Sequence, residues 1–175
     1  MLPISSVQGI ITPFHKALFT STSAVCVTGL AVVDTGSYWS AFGQTVIMFL
    51  IQIGGLGVIT TATAVFILSG RKISIMQRST MQNAISAPKV GGIVQLMSFI
   101  LKGTLLIELI GALFMIPVFC HDFGLRGIWM SIFHSVSAFC NAGFDLLGTK
   151  WHPFVSLTSY AVNPVINIVI MLLII

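Results

Sequence analysis

Charged residues are scarce in this sequence. Asp, Glu, Lys and Arg make up only 7% of its 175 residues, whereas a soluble domain contains about 25%. No Asp, Glu, Lys, Arg or His occurs between Thr35 and Gly70, and about 20 consecutive apolar residues are enough to cross a bilayer as a helix. A soluble protein with a buried core helix would need a large polar remainder, which this sequence lacks. The composition therefore predicts an all-α membrane protein.

The signatures of several other function classes are also missing. The sequence contains no H-E-x-x-H, G-x-S-x-G or G-x-x-x-x-G-K-[ST] pattern, so metalloprotease, serine hydrolase and phosphate-loop chemistry are not expected. His134 lies beside Ser135, but adjacent residues of a helix do not face each other, which disfavours a membrane-embedded hydrolase. No basic patch is interleaved with aromatics, so nucleic acid is not an expected partner. We expect no enzyme, no covalently bound cofactor and, from three cysteines, no disulfide framework.

Three strongly apolar stretches are present. They are residues Ala41–Ser69, Ile93–Phe119 and Ala161–Ile175. The first would reach about 43 Å as a helix, against a hydrocarbon core of about 30 Å. We therefore expect it to tilt, bend or project beyond the membrane. Its G-G-L-G sequence at 54–57 is either the bend or a site of close helix packing.

Four polar side chains in the second and third stretches need an explanation. Glu108 is costly in lipid and is a functional candidate, because it either pairs with another helix or faces a cavity. Lys102 lies six residues away on a different helix face, so it is expected at the cytoplasmic interface rather than beside Glu108. Asn163 and Asn167 are spaced to share one helix face and to bond a neighbouring helix.

The distribution of basic residues predicts the orientation in the membrane. The linker 71–92 has four basic residues and no acidic one, so the positive-inside rule places it in the cytoplasm of a multi-pass protein of the cell membrane. The remaining loops balance their charges and are expected outside. The four basic residues of the linker are Arg71, Lys72, Arg78 and Lys89.

An internal repeat links two short, half-polar segments. Residues 17–30, ALFTSTSAVCVTGL, align without gaps on residues 131–144, SIFHSVSAFCNAGF, with six of fourteen positions identical. Further on, VIMFLI at 46–51 matches VIMLLI at 169–174. Two matches in the same order indicate a duplicated unit, consisting of a short helix, a glycine turn, an outer loop and a long membrane helix.

The short segments are predicted to be re-entrant loops. The helix Phe14–Val25 has only about three turns, and it would enter and leave the membrane by the outer face. Irregular backbone at that depth is tolerated where it lines a wet cavity. Gly29 and Gly143 would let carbonyl oxygens approach a common axis and replace the water shell of a cation. The alternative is an interfacial amphipathic segment.

These residues resemble a known family of membrane proteins. FTSTSAVCVTGLAVVDTG, GQTVIMFLIQIGGLG and FHSVSAFCNAGFDLLG are similar to the membrane subunits of the Trk/Ktr/HKT superfamily of potassium transporters, closest to the bacterial Ktr or NtpJ type. The resemblance implies four helix–pore-loop–helix repeats around one pore, uptake of potassium that is often stimulated by sodium, and a cytoplasmic nucleotide-binding regulatory partner. It also implies that backbone carbonyls of the two turns bind the ion, namely those of Cys26, Val27, Thr28, Gly29, Cys140, Asn141, Ala142 and Gly143.

Only the first two repeats of that family are found in this sequence. We expect residues 1–70 to form the first repeat, 71–92 the cytoplasmic linker and 93–175 the second repeat. Asp34 and Asp145 follow the two turns and either concentrate cations at the outer mouth or are solvated loop charges. We expect a fragment of a transporter. The alternatives are a non-transporting assembly module and a homodimer whose two copies close a ring of four loops.

Overall fold

The computed structural model describes residues 2–57, 60–61 and 93–175, and over these residues the regular structure is helical without a β-strand. This agrees with the predicted all-α class. Short 3-10 helices lie at Pro3–Ser5 and Leu157–Tyr160. The α-helices described are α1 (Phe14–Val25), α2 (Thr35–Tyr38), α3 (Ala41–Leu56), α4 (Ile93–Phe123), α5 (Arg126–Phe139) and α6 (Pro164–Ile174).

The chain divides into two compact units. Met1–Gly55 and Glu108–Ile175 form the first unit, and Leu56–Ile107 form the second. Most of the second unit, including the predicted cytoplasmic linker 71–92 with its four basic residues, lies outside the described residues. In that unit the structure describes the first half of α4, on which Lys102 is exposed. The candidate functional site belongs to the first unit.

One described helix is long and apolar enough to cross a membrane. It is the segment Gln95–Phe123 of α4, while α3 and α6 are shorter apolar helices. Helix α4 begins where the second apolar stretch was predicted to begin and runs four residues past its predicted end. The hydropathy of the sequence therefore predicts this element well.

Helix α3 is shorter than the first apolar stretch. It ends at Leu56, because Gly57 has a φ of 81°, a left-handed conformation that terminates helices. The helix therefore ends within the G-G-L-G sequence at 54–57, the place where a bend was expected, although the apolar composition continues past Leu56.

The start of α6 uses both asparagines of its first turns. Asn163 is the N-cap residue, and its side chain accepts hydrogen bonds from the backbone N–H groups of Val165 and Ile166. Asn167 donates from Nδ2 to the carbonyl oxygens of the preceding turn, including that of Asn163 at 2.8 Å. The expectation that this pair bonds a neighbouring helix is wrong, because both side chains satisfy the polar groups of a helix end.

The core of the first unit holds the short helix α5 in place. Phe119 and Met115 of α4, Met130 and Phe133 of α5, and Ile51 of α3 are all fully buried. Gly127 lies at the tight turn from α4 to α5, where a Cβ atom would overlap the backbone of Phe119. Apolar packing against α3 and α4 therefore fixes the position from which the second glycine turn begins.

Candidate functional site

Helix α1 ends in a turn with the hydrogen bonds of a Schellman motif. The N–H of Thr28 donates to the carbonyl of Ser23 at 3.0 Å, and the N–H of Val27 donates to the carbonyl of Ala24 at 3.3 Å. Glycine is usual at the left-handed position of this motif, but here it is Val27, with a φ of 56°. A β-branched residue is rare at positive φ, and backbone strain of this kind clusters at functional sites.

Helix α5 ends in the same turn, 114 positions later. The N–H of Ala142 donates to the carbonyl of Ser137 at 2.7 Å, and the N–H of Asn141 donates to the carbonyl of Ala138 at 2.9 Å. Asn141 takes the left-handed position with a φ of 54°. The internal similarity of the sequence thus extends to matching backbone geometry.

The two turns contact each other at their glycines. Gly29 and Gly143 have φ values of 72° and 71°. A Cβ atom on Gly29 would lie 2.8 Å from the carbonyl oxygen of Ala142 and 3.2 Å from the Cα atom of Gly143. The fold therefore brings the two sequence-predicted segments together and leaves no room for a side chain at Gly29.

Most backbone N–H groups of both turns are hydrogen-bonded, whereas their carbonyl oxygens are not. Within the described part of the chain, no donor bonds to a backbone carbonyl of residues 26–29 or 140–143. The N–H groups of Cys26, Val27 and Thr28 all bond back to α1, and those of Cys140, Asn141 and Ala142 bond back to α5. The helices thus hold six of the eight N–H groups, all but those of Gly29 and Gly143, whereas none of the eight carbonyls has a donor among the described residues.

Two serines brace the turns in the same way. The hydroxyl of Ser23 donates to the carbonyl of Leu30 at 2.7 Å, and the hydroxyl of Ser137 donates to the carbonyl of Phe144 at 2.7 Å. Each serine thus ties its short helix to the residue that follows the glycine. Sequence reasoning gave them no role, although their identity in the internal repeat was a usable signal.

His134 supports the second turn from behind. Its Nδ1–H donates to the carbonyl of Met130 at 2.7 Å, and its Nε2 accepts from the N–H of Leu146 at 3.3 Å. These bonds require the neutral ring. Ser135 instead donates to the carbonyl of Glu108 at 2.6 Å. No serine–histidine pair forms between these neighbours, which removes the geometry that a hydrolase would need.

A polar chain within the helices reaches the start of the second turn. The amide Nε2 of Gln52 donates to Oε1 of Glu108 at 2.9 Å, and the Oε1 of Gln52 lies 3.8 Å from the Sγ of Cys140. Glu108 therefore pairs with another helix, which is one of the two expected alternatives. Lys102 plays no part in this chain.

The glycines of α3 allow that helix to approach both turns closely. A Cβ atom on Gly54 would overlap the carbonyl of Val25, at the end of α1, and one on Gly55 would overlap the side chain of Cys140. The expectation of close packing through small residues is confirmed for Gly54 and Gly55. Gly57, by contrast, ends the helix.

A cavity of about 210 Å³ opens beside the two glycines. Asp34 and Asp145 line it together with Gly29 and Gly143. Asp34 is only 7% exposed, and its carboxylate accepts hydrogen bonds from the N–H of Ser37 at 2.7 Å and from another N–H in the second outer loop. Asp34 therefore caps α2 and joins the loop that follows the first turn to the loop that follows the second, through the N–H of Phe154.

Asp145 is the less constrained of the two acids. Its Oδ1 accepts a hydrogen bond from the N–H of Leu147 at 3.2 Å. Burial raises the pKa of Asp145 to about 6, the bond from Leu147 opposes this rise, and the nearby charge of Asp34 adds to it. At neutral pH this carboxylate is a negative charge beside the glycines.

All three cysteines are free, as expected, and two of them mark corresponding positions at the ends of α1 and α5. Cys26 is exposed, whereas Cys140 is buried against α3. The two turns are thus equivalent in backbone but not in surroundings. Unpaired carbonyls, left-handed turns and an acidic cavity in an apolar helical chain are typical of membrane proteins that handle cations.

Comparison with known proteins agrees with this class. The model of the TrkH family, described as cation transport protein, matches residues 5–175. The chain belongs to the TrkH family. Since this is a family of membrane transport proteins, the expectations of a membrane location and of a chain that is not an enzyme are confirmed.

Curated relatives have closely similar sequences. The chain is 48% identical over 148 residues to the potassium/sodium uptake protein NtpJ of Enterococcus hirae, which covers 84% of this chain and 33% of the relative. It is 44% identical over 171 residues to the Ktr system potassium uptake protein B of Bacillus subtilis, covering 97% and 37% respectively. It is 36% identical over 156 residues to the Ktr system potassium uptake protein B of Vibrio alginolyticus, which covers 89% of this chain and 34% of the relative. The chain thus spans about one third of the length of the curated relatives it matches.

Proposed function

We propose that this chain supplies two segments of a selectivity filter for potassium ions. Their eight backbone carbonyls, at residues 26–29 and 140–143, would replace part of the water shell of the ion. The observation that carries this proposal is the division of roles within each turn. Six of the eight backbone N–H groups bond back to the helix ends, while none of the eight carbonyls has a donor within the described part of the chain.

The dipoles of α1 and α5 support the same function. Both helices end at their glycine turn, where the C-terminal end of a helix carries a partial negative charge. The carboxylate of Asp145 adds a negative charge at the outer side of the turns. A cation is therefore favoured near Gly29 and Gly143, and an anion is disfavoured.

The relatives indicate the ion and the remaining parts of the system. Their names include potassium uptake and potassium/sodium uptake, so we infer potassium as the main substrate and sodium as a second cation or a stimulant. The family resemblance further suggests a cytoplasmic nucleotide-binding regulatory subunit. We also retain a multi-pass arrangement in the cell membrane, with the linker 71–92 in the cytoplasm between repeats at 1–70 and 93–175.

A chimera tests the filter. This chain would replace the matching segment of the Enterococcus hirae relative, and uptake of potassium and sodium would be measured in cells without other potassium uptake systems. We expect Gly29→Ala and Gly143→Ala to lower the preference for potassium over sodium about tenfold or more, which corresponds to about 1.4 kcal/mol. The added methyl group strains a positive-φ residue where the two turns meet.

Gly9→Ala is the matched control. Gly9 also has positive φ, at 68°, but a Cβ atom there would meet nothing within 4 Å. This variant strains the backbone without touching the turns, so its ion preference should equal that of the parent chimera. The filter proposal fails if the variants at Gly29 and Gly143 keep the parent's preference, or if all three variants lose it equally.

A further inference from the structure

A second cavity of the first unit lies away from the glycine turns. This cleft, here called the Arg126 cleft, has a volume of about 480 Å³. Helix α5 contributes Arg126 and Trp129 to its lining, α3 contributes Gln44, and the loops contribute Trp39 and Lys150. Neither the internal repeat nor the proposed filter gives this cleft a role.

The charge of the Arg126 cleft is positive. Within the part of the chain that the structure describes, the single ion pair joins His121 and Asp122, so neither Arg126 nor Lys150 has a carboxylate partner within 4 Å. The Asp34 carboxylate behind Ser37 and Gly148 is already bound by backbone N–H groups. The Nη2 of Arg126 donates to the carbonyl of Gly36 at 3.0 Å. This bond holds the side chain in place and leaves other guanidinium N–H groups for a ligand.

The position of Arg126 adds to this positive potential. It is the first residue of α5, whose first turn contains no acidic residue and whose N-cap residue makes no side-chain hydrogen bond. A cation at the N-terminal end of a helix is unfavourable, and an anion there is favourable. A bound anion would therefore relieve a local conflict that the protein itself leaves in place.

Hydrogen bonds connect the polar and aromatic side chains that line the cleft. The indole N–H of Trp129 donates to Oε1 of Gln44 at 2.8 Å, and Nε2 of Gln44 donates to the carbonyl of Trp39 at 3.0 Å. The indole N–H of Trp39 is buried without a hydrogen-bond partner among the described residues. Tryptophan is enriched where a membrane meets water, and the phosphate of lipid headgroups is the abundant anionic group in that layer.

We propose that the Arg126 cleft binds a phosphate group. Arg126 would bind two of its oxygens with its planar fork, Lys150 would supply a second charge, and the tryptophans would contact the apolar part of a lipid. A phospholipid headgroup and free phosphate share this chemistry, so the experiment has one arm for each. The proposal does not depend on ion transport.

The lipid arm measures how many phosphatidylglycerol molecules the purified chain retains in native mass spectrometry after extraction from vesicles of phosphatidylglycerol and phosphatidylcholine. We expect retention to fall about tenfold in the double variant Arg126→Gln, Lys150→Gln. Arg126→Lys should keep part of it. Lys16→Gln removes a basic residue outside the cleft and should retain as much lipid as the parent.

The phosphate arm uses fluorescence. Of the three tryptophans, Trp39 and Trp129 line the cleft and Trp151 is 89% exposed, so a Trp151→Phe background reports mainly on the cleft. Inorganic phosphate is titrated at constant ionic strength, with chloride as the reference anion. A saturable change that the double variant loses assigns the cleft to free phosphate, while lipid retention without this change assigns it to a headgroup.

Two results would overturn the proposal. One is the absence of both signals in the parent chain. The other is equal binding in the parent and in double-variant protein whose helix content by circular dichroism matches the parent. If the double variant loses helix content, binding is measured in the single variant Lys150→Gln instead, because this exposed loop residue can be changed without disturbing a helix. Unchanged binding in Lys150→Gln would then reject the site.

Discussion

Glu108 shows, at the scale of a single residue, how a carboxyl group is accommodated among apolar helices without a basic partner. Gln52 satisfies one of its oxygens and at the same time presents its own carbonyl oxygen to Cys140. The amide therefore links Glu108 to the first residue of the second turn. Loss of the Glu108 carboxyl group should therefore alter the proposed filter as well as the packing of α4.

We predict that Glu108→Ala lowers the potassium preference of the chimera, whereas Glu108→Gln largely keeps it. The alanine leaves the partly buried amide of Gln52 without its acceptor, at a cost of about 1 kcal/mol, and frees the group that contacts Cys140. A glutamine at position 108 can still accept the bond. The ratio of potassium to sodium uptake separates the two variants, and equal ratios in both would show that the chain of bonds does not support the turn.

Asp145 leads to a prediction about pH. Its pKa is raised to about 6, chiefly by burial, so its carboxylate is charged at pH 7 and largely neutral at pH 5. Apparent potassium affinity in the chimera should therefore decrease as the pH falls through 6. The folded state binds this proton more tightly than the unfolded chain, so the contribution of Asp145 to stability increases over the same fall in pH.

Asp145→Asn is the variant that tests this assignment. It should have weak potassium affinity at every pH between 5 and 8, because the side chain carries no charge. Asp122→Asn removes an acid that does not line the cavity and should keep the pH dependence of the parent. If the potassium affinity of Asp145→Asn still fell near pH 6, the pH effect would belong to another group.

Among the elements, the short helices are the ones that the sequence predicts best. The predicted bounds Phe14–Val25 are those of α1, and the internal alignment placed α5 at the corresponding positions. Two cues combine there, namely a polar segment too short to cross a membrane and its repetition with the same glycine. The end of α3 lies in the G-G-L-G sequence where a bend was expected, and the cue was the cluster of glycines, because hydropathy is insensitive to a left-handed glycine inside an apolar run.

Side-chain roles in the site were harder to predict than backbone positions. The glycines were predicted because a glycine repeated at the same position indicates a backbone conformation that other residues rarely adopt. Ser23 and Ser137 were missed because a hydroxyl near a helix end has many possible acceptors, and the carbonyls they bond are selected only by the folded turn. Asp34 likewise could be assigned to a cap only when Ser37 and the second outer loop were in place.

The match between VIMFLI at 46–51 and VIMLLI at 169–174 does not extend to the burial of the matched side chains. Ile51 of α3 is fully buried, whereas the corresponding Ile174 of α6 is 50% exposed. Similar apolar residues thus occur in two helices that have different neighbours. The match of the turns is the stronger evidence for duplication, because it includes hydrogen bonds as well as residue identities.

The orientation of the elements can be tested by cysteine labelling. In a background with Cys26, Cys120 and Cys140 replaced by serine, a cysteine at Ser79 in the linker should react with impermeant thiol reagents only from the cytoplasm. A cysteine at Trp151, which is 89% exposed, should react only from outside. Ser37 is a poor site for this test because its hydroxyl bonds to Asp34. The reverse pattern would invert the topology and the direction of both turns.

At the scale of the whole molecule, the number of filter segments limits what this chain can do. On the proposed function it would contribute two such segments, whose glycines are in contact. A potassium ion that loses its water shell needs carbonyl oxygens on all sides, and unpaired carbonyls facing lipid would each cost several kcal/mol. The remaining side of the ring must therefore come from further polypeptide, either other repeats or a second copy of this chain.

We predict that residues 1–175 expressed alone will not restore growth on low potassium in cells without potassium uptake systems, whereas the chimera with the remaining two thirds of the Enterococcus hirae relative will. Expression of the chain in the membrane must be shown by immunoblot, so that a lack of growth is not caused by a lack of the protein. Growth with the chain alone would contradict the prediction and favour a homodimer. The mass of the purified protein in detergent would then have to be that of two copies, and Gly29→Ala would have to abolish growth, because each copy would contribute the same two turns to one ring.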